Sequence, residues 1–594
     1  MRKASTGSFP APIKGLQLSG TYVNAPVDGA EVLDNFIPTD TGARLRGGCS
    51  LFATVSDDVV RLMVYRSGAV EQMFATTTTT IVDVSNVADE TVAEQPDVIG
   101  LTSGDWSFQQ WATAGGQFLV CVNGDDYYHY YDGTEWNPIV GVAIYDLDYD
   151  GLTTAFQVGQ TVTGGTSGAN ATIYSITPAS ATTGTLRLGT ITSGPFQNNE
   201  VITSATGAAL ANGASAAGST VVLTGVDGRD LSFVWSHKSR LWFIEKDTLN
   251  AWYLPTNAFG GAATKFPLTS LFRLGGSLLF GGTWTVDSGT GIDDMQVFVT
   301  TEGEVAIYQG TDPASATTWA VVGLYRIARP LNKQAWFWAG SDLFIMTEEG
   351  IVAVSQVMSR DRVQLQSVAL TSPIEDLWRS TVVKRTASTR FPVTVWPSES
   401  LFIIGVPSTT GQPTCLVANT RTGAWSRIKG WDALTVRVFN DRLYFGTEDG
   451  EIFQADVGGT DNGDEYVGVY VPKFQEYGTP DWKSALHARA MWRSDVQASV
   501  RLVAYSNYIA NTLPALPPPM PANQSGKWGT AGQKWGGGAK WGAVEPVVAG
   551  TEWQSVVAGG YAITPGLVVV SNRTTKPVFE LVSTHLRFEV GTSI

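Results

Sequence analysis

Three short turns punctuate the second half of the chain at nearly regular intervals: TTEGE with Gly303, TEEGI with Gly350 and TEDGE with Gly450. Each lies between apolar, β-prone runs (VFVTTEGEVAIY, LFIMTEEGIVAV and LYFGTEDGEIFQ), so each reads as a hairpin whose positive-φ residue is a glycine. The spacings are 47 and 100 residues, and the longer gap holds a further hairpin, LVANTRTGAW, ending at Trp425. A period near 50, with a tight hairpin in every unit, points to a radial β architecture in which each unit is one propeller blade. Earlier segments extend the pattern. MVYRSGAVEQMF turns at Gly68, FLVCVNGDDYYHYY turns at Asn123-Gly124, and FVWSHKSRLWFIEKDTLNAWYL carries strands around Phe233 and Trp242. Repeat logic predicts about six to eight units. Trp136, Trp252, Trp319 and Trp425 recur late in their units, and rings recurring at one place in a repeat are expected to pack between blades rather than to stack on sugars.

Charged residues are only 16% of the chain while Gly, Thr, Val and Trp abound, which favours an all-β, turn-rich protein over a helical one. One helix start is predicted at Ser372-Pro373-Ile374-Glu375, with Ser372 as the cap and Glu375 completing a capping box. The blade pattern breaks between Asp146 and Val226, where FQVGQTVTG from Phe156 echoes FQNNEVITS from Phe196 at a spacing of 40. Alternating Val and Thr in both copies predicts a small inserted β module projecting from a blade loop. A second shift comes near Asp461. Strands such as YVGVYVP lead to LPALPPPMP (Leu513 to Pro521), read as an extended spacer, and then to three KWG triplets at Lys527-Trp528, Lys534-Trp535 and Lys540-Trp541. The predicted division is an N-terminal arm and strand (1–48), a propeller in two parts (49–145 and 227–460), the inserted module (146–226) and a C-terminal β platform domain (461–594).

A net charge of −15 argues against tight binding of a nucleic-acid backbone, yet a conduit through which DNA slides benefits from a wall that repels phosphate. Cys49, Cys121 and Cys415 stand alone, which suggests neither a disulfide framework nor a zinc site and points to a reducing compartment. MRKASTGSFPAPIKGL has no apolar core of a secretory signal, and no segment reaches membrane-spanning length, so synthesis in a cytoplasm is expected. Of possible chemistry, DLDYDG places Asp146, Asp148 and Asp150 in the DxDxDG form of a calcium loop, although Gln157 stands where the closing carboxylate would be. The other reading is an acidic turn. His129, His237, His487 and His585 are scattered, without HExxH or a serine elbow. Asp125-Asp126 and Asp293-Asp294 are adjacent pairs that point to opposite faces of a strand and cannot flank one glycosidic bond, so they read as solvated turns. The KWG triplets suit a protein interface, since Trp dominates binding hot spots, or else fold back onto their own domain.

Leu33 to Gly48 reads LDNFIPTDTGARLRGG, a turn followed by a strand on which Arg44 and Arg46 share one face. This segment resembles the opening of the tail nozzle proteins (tail tubular protein B) of short-tailed bacteriophages, with Asn35, Pro38, Arg44, Arg46 and Gly48 matching an N-x-x-P turn and an R-x-R-x-G strand. TVTGGTSGANATI and NNEVIT resemble a small β module recurring in phage tail proteins, and the KWG region with PVFELVSTHLRFEVG resembles the C-terminal part of nozzles. The resemblance implies a homohexameric tube at the distal end of a stubby tail, built from a propeller-like domain and β platform domains. It would be attached below the head-to-tail adaptor ring, meet tail fibre or needle proteins, and conduct viral double-stranded DNA without specific binding. Such a family has no catalytic residues or cofactor to transfer. Arg44, Arg46 and the KWG lysines and tryptophans would then be assembly residues. Two other readings stand beside it: a propeller tail protein that binds a receptor or glycan, and a polysaccharide-degrading spike.

Overall fold

The computed structural model describes residues 4–20, 26–287, 292–340, 342–386, 389–406, 414–496, 498–510, 514–520, 548–550 and 552–591. The protein is all-β, a propeller joined to a β platform and carrying a small inserted barrel.

Among the described residues, seven blades succeed one another around a hub, each touching the next through its innermost strand. The innermost strands are Arg61–Ser67, Ser107–Thr113, Leu231–His237, Leu278–Asp287, Trp336–Ala339, Val393–Trp396 and Thr435–Phe439, which begin blades 1 to 7. Five of these blades are sheets of their own, whereas blade 1 runs on into the insert and blade 6 into the platform. The ring closes on a borrowed strand: Gly48–Thr54, from near the N-terminus, pairs antiparallel with Glu451–Val457 as the outer strand of blade 7. Each blade is covered on both faces by its neighbours, which is why its strands read as continuous apolar runs such as FLVCV rather than as alternating ones. Trp136 meets Phe74 of blade 1 at 5.0 Å, and Trp319 of blade 4 stacks on Trp242 of blade 3 at 5.8 Å, as expected for rings that pack between blades.

The marker hairpins join the second and third strands of blades 4, 5 and 7. Gly303 and Gly450 have φ of 81° and 78°, and a Cβ on them would lie 2.5 Å from the Ile327 carbonyl oxygen and 2.6 Å from that of Val55. Each of these two turns has a second partner within the motif, a threonine. Thr300 and Thr447 accept the amide of the Glu four residues on, at 3.0 and 3.3 Å, and so clamp each turn from within. LVANTRTGAW differs, forming the outer hairpin of blade 6. Ser372 does not cap the predicted helix. It lies inside a single 3-10 turn, Ser372–Ile374, that leads into the helix Glu375–Val383.

The insert follows blade 2. Its strands Tyr145–Thr154, Thr161–Gly164, Asn170–Pro178, Gly184–Leu188, Val201–Thr203 and Ala208–Ala211 pair in a closed antiparallel circuit. The echoed segments are partners in it, Thr163 opposite Thr203, and Phe156 and Phe196 both enter its core. The barrel docks on the outer edge of blade 1 through Ile176 and Ile99. Two residues along that edge, Asp97 carries a buried carboxyl oxygen with no partner among the described residues and faces Asp83. Burial, then the Asp83 charge, pushes its carboxyl up to about 7. The unfolded chain therefore releases this proton near pH 4 while the folded chain keeps it to about pH 7, so the group costs stability as pH rises across that window. Asp97→Asn is expected to stabilise the protein by about 1–2 kcal/mol at pH 8 and not at all at pH 3.5. Urea melts at the two pH values measure this; an equal gap at both contradicts it.

The platform is a sandwich fed by both ends of the chain. Ala4–Pro10, Phe36–Pro38 and Ala43–Leu45 join Phe579–Val590, Lys483–Ser494, Trp553–Gly560 and Val548–Gly550 in one sheet. Ala30–Asp34, Tyr466–Pro472, Ile563–Ser571 and Val500–Ser506 form the other, continuous with blade 6. The described residues between 4 and 48 are thus woven into the platform and blade 7 rather than forming a separate arm. The segment after Leu513 does not hang free as a spacer either: Met520 is buried and donates its amide to the Val570 carbonyl at 2.9 Å.

Candidate functional site

Arg46 sits at the joint between propeller and platform, not on an assembly surface. It is 0% exposed. Its guanidinium forks onto Asp461 at 2.7 and 2.6 Å, gives its Nε hydrogen to Asn35 Oδ1 at 2.9 Å, and reaches the carbonyls of Gly47 and Lys429 at 2.8 Å each. The planar group is sandwiched between Tyr466 at 4.1 Å and Trp431 at 5.1 Å. Asn35 adopts φ 61° and donates to the Val467 carbonyl, while its own oxygen also takes the Lys429 amide. Arg44 lies nearer the surface and pairs with Asp456 and Glu399 at 3.0 Å each. The motif residues therefore tie the outer strand of blade 6 to the platform. An arginine with every donor engaged inside its own chain cannot serve a neighbouring subunit, which corrects the expectation for Arg46.

The calcium reading is overturned too. DLDYDG is not a loop but the strand Tyr145–Thr154, paired on both sides, with Leu147 and Tyr149 in the barrel core and the three Asp residues alternating outward. Asp146 is taken by Arg187 at 3.0 Å and Asp148 by Thr185 at 2.6 Å, and among the described residues no cluster of three or more metal-ligating side chains occurs. Asp125 and Asp126 do lie in a turn, the first pairing with Lys246 and the second accepting the amides of Thr102 and Ser103. Asp293 and Asp294 instead lie within the strand Ile292–Thr300. His129 and His237 are buried in blades 2 and 3, the latter pushed down to about 3 by burial and by Lys238. Lys527, Trp528, Lys534, Trp535, Lys540 and Trp541 lie outside the described residues.

What the sequence did not reveal is a cavity of about 490 Å³ at the propeller hub, lined by the innermost strands of six blades. Arg61 and Arg66 come from blade 1, Phe108 from blade 2, Phe233 from blade 3, Trp336 and Trp338 from blade 5, Val395 from blade 6 and Arg437 from blade 7. Arg61 and Arg437 lie over the same Phe108 ring, at 5.8 and 4.7 Å. Arg61 donates to Gln334 Oε1, and Arg66 pairs with Glu71 at 2.6 Å. Just beyond the lining, Asp105 pairs with Lys333 at 3.2 Å and accepts from Gln334. Burial, then the charges of Arg61 and Arg66, pushes the Arg437 guanidinium down to about 9, and burial pushes Arg61 down to about 10 against the pull of Asp105. Among the described residues no carboxylate pairs with Arg437. A chain of net charge −15 thus concentrates positive charge at its axis.

No family model matches the chain, and no curated protein matches it. Among solved structures, it is similar to Sqt1 of Saccharomyces cerevisiae, with 11% identity, 69% of this chain and 98% of that chain covered, and a TM-score of 0.34. It is also similar to the computationally designed Ika8 protein (8% identity, 68% and 99% covered, TM-score 0.31) and to the β-propeller domain of Myceliophteria thermophila Cps50 (Swd1) (8% identity, 69% and 99% covered, TM-score 0.26). The propeller assignment rests on the strand pairing itself.

Proposed function

We propose that this chain is a structural subunit of the distal tail tube, or nozzle, of a short-tailed bacteriophage: a homohexamer in the virion tail, attached below the head-to-tail adaptor and conducting DNA during ejection. The observation that carries the reading is the outward side of the platform, where Trp482, Met491, Trp553, Val557, Tyr561 and Val582 stand exposed, Val557 to 95%. Arg489 and Arg587 lie among these residues on the same sheet, Arg489 over the Trp553 ring at 4.9 Å, and apolar rings mixed with arginine have the character of a protein contact. The resemblance of residues 33 to 48 to nozzle openings supports the same reading, because those residues form a rigid joint and a pressure-bearing conduit needs its domains held at a fixed angle. Ring closure from one patch and a different complementary surface would be heterologous, and a net charge of −15 per subunit would keep the wall from holding phosphate.

Native mass measurement and negative-stain imaging test this. Rings of six copies of the 63.6 kDa chain with an open centre are expected. Val557→Asp should abolish the rings while changing monomer stability by no more than about 0.5 kcal/mol. Monomers at every concentration, with or without an adaptor ring, count against the proposal.

A further inference from the structure

We infer that the hub cavity is a binding site for a small ligand bearing an oxyanion, an acidic sugar or a phosphorylated compound, with Arg437 and Arg61 as its principal donors. The space suits such a ligand, since sites for small molecules commonly span about 300–1,000 Å³. Its chemistry is directional. Two guanidinium groups share the Phe108 ring, and each presents a planar fork of N–H donors that matches a carboxylate or phosphate two bonds at a time.

The charge balance is uneven. Arg61, Arg66 and Arg437 line the cavity, and Arg390 and Lys333 act on the same groups from just outside it, whereas the opposing carboxylates are Asp105 and Glu71. Both acids are spoken for, Asp105 by Lys333 and Gln334, and Glu71 by Arg66 and the Asn440 amide. Arg437 is left half-buried against an aromatic ring with like charges as its electrostatic neighbours. A cation stripped of part of its water without a counter-charge costs free energy, and a bound oxyanion removes that cost. Packing alone does not account for the arrangement, because a leucine would cover Phe108 without that penalty. Trp338 adds a ring 43% exposed at the same cavity, fixed by its Nε1 bond to the Thr283 carbonyl at 3.0 Å and suited to stack on a sugar or base. This site lies on the axis of one propeller, so it is independent of the assembly proposed above.

Calorimetric titration of the full-length protein with glucuronate, inorganic phosphate and glucose tests the inference. At least one of the two anions is expected to bind in the millimolar range or tighter, more weakly as salt is raised, and glucose not at all. Binding by glucuronate alone identifies an acidic sugar, and binding by phosphate alone a phosphorylated ligand. Arg437→Gln should lose at least tenfold in affinity while Arg421→Gln, on the outer surface, loses none. Because the Arg437 side chain has no hydrogen-bond partner among the described residues, its variant should melt within a few degrees of wild type, and an anion-induced rise in melting temperature should vanish with it. Absence of heat with both anions overturns the site, as does equal binding of glucose or unchanged affinity in Arg437→Gln.

Discussion

Arg46→Ala is expected to destabilise the folded chain by about 3–5 kcal/mol, the range found when one member of a buried ion pair is deleted. The loss has several parts that act together. Asp461 keeps a largely buried charge without its partner, Asn35 Oδ1 and two carbonyls lose a donor, and the slot between Tyr466 and Trp431 becomes a void. Arg46→Lys should recover less than half, because one ammonium cannot reproduce a fork that reaches Asp461 and Asn35 together. Converting the pair to apolar residues, Arg46→Met with Asp461→Leu, should cost less than Arg46→Ala alone, since no charge is then stranded. Guanidinium denaturation of the four proteins decides the matter. A loss under about 1 kcal/mol for Arg46→Ala would mean that the joint is held by the apolar platform core instead.

Trp242→Ala is expected to cost about 3–5 kcal/mol by opening the seam between blades 3 and 4. The ring is 0% exposed and stacks on Trp235 at 6.1 Å and Trp319 at 5.8 Å, with Tyr253 at 4.9 Å and Phe298 at 5.8 Å. Close packing from four sides leaves little room for collapse, which places the expected value at the upper end of large-to-small changes. The indole Nε1 has no hydrogen-bond partner among the described residues. Trp242→Phe should therefore lose only volume, about 1–2 kcal/mol, and the difference between the two variants separates ring packing from polar effects. Similar losses for both would contradict the packing account.

Local chemistry made the blades legible. A glycine at positive φ between two apolar runs specifies a hairpin whatever surrounds it, and Gly303, Gly350 and Gly450 all occupy such turns. The inserted barrel was visible because its two Phe-led segments repeat and pair with each other. DLDYDG failed for the opposite reason: carboxylates at every second residue satisfy a calcium loop and a β-strand alike, and Leu147 and Tyr149, both drawn into a core, decided for the strand. Arg44 and Arg46 were placed together by alternation, but which of them faces water depends on Asp456, Asp461 and Trp431, about 400 residues away in sequence. The hub cavity had no local signature at all. Arg61, Phe108, Trp338 and Arg437 come from four blades, and no spacing rule links residues that meet only when a ring closes.

That closure has a consequence for the birth of the molecule. Gly48–Thr54 leaves the ribosome roughly 20–80 s before Glu451–Val457 is made, at ~5–20 residues per second, and Ala4–Pro10 must wait longer still for Phe579–Val590. Until then two hydrogen-bonding edges stand open: a nascent chain that stalls before Glu451 can fasten neither clasp, and one that stalls before Phe579 can fasten only the first. Chains cut short before Phe579 should accordingly aggregate or be degraded, so that strand closure itself tests whether both partners of each clasp have been made.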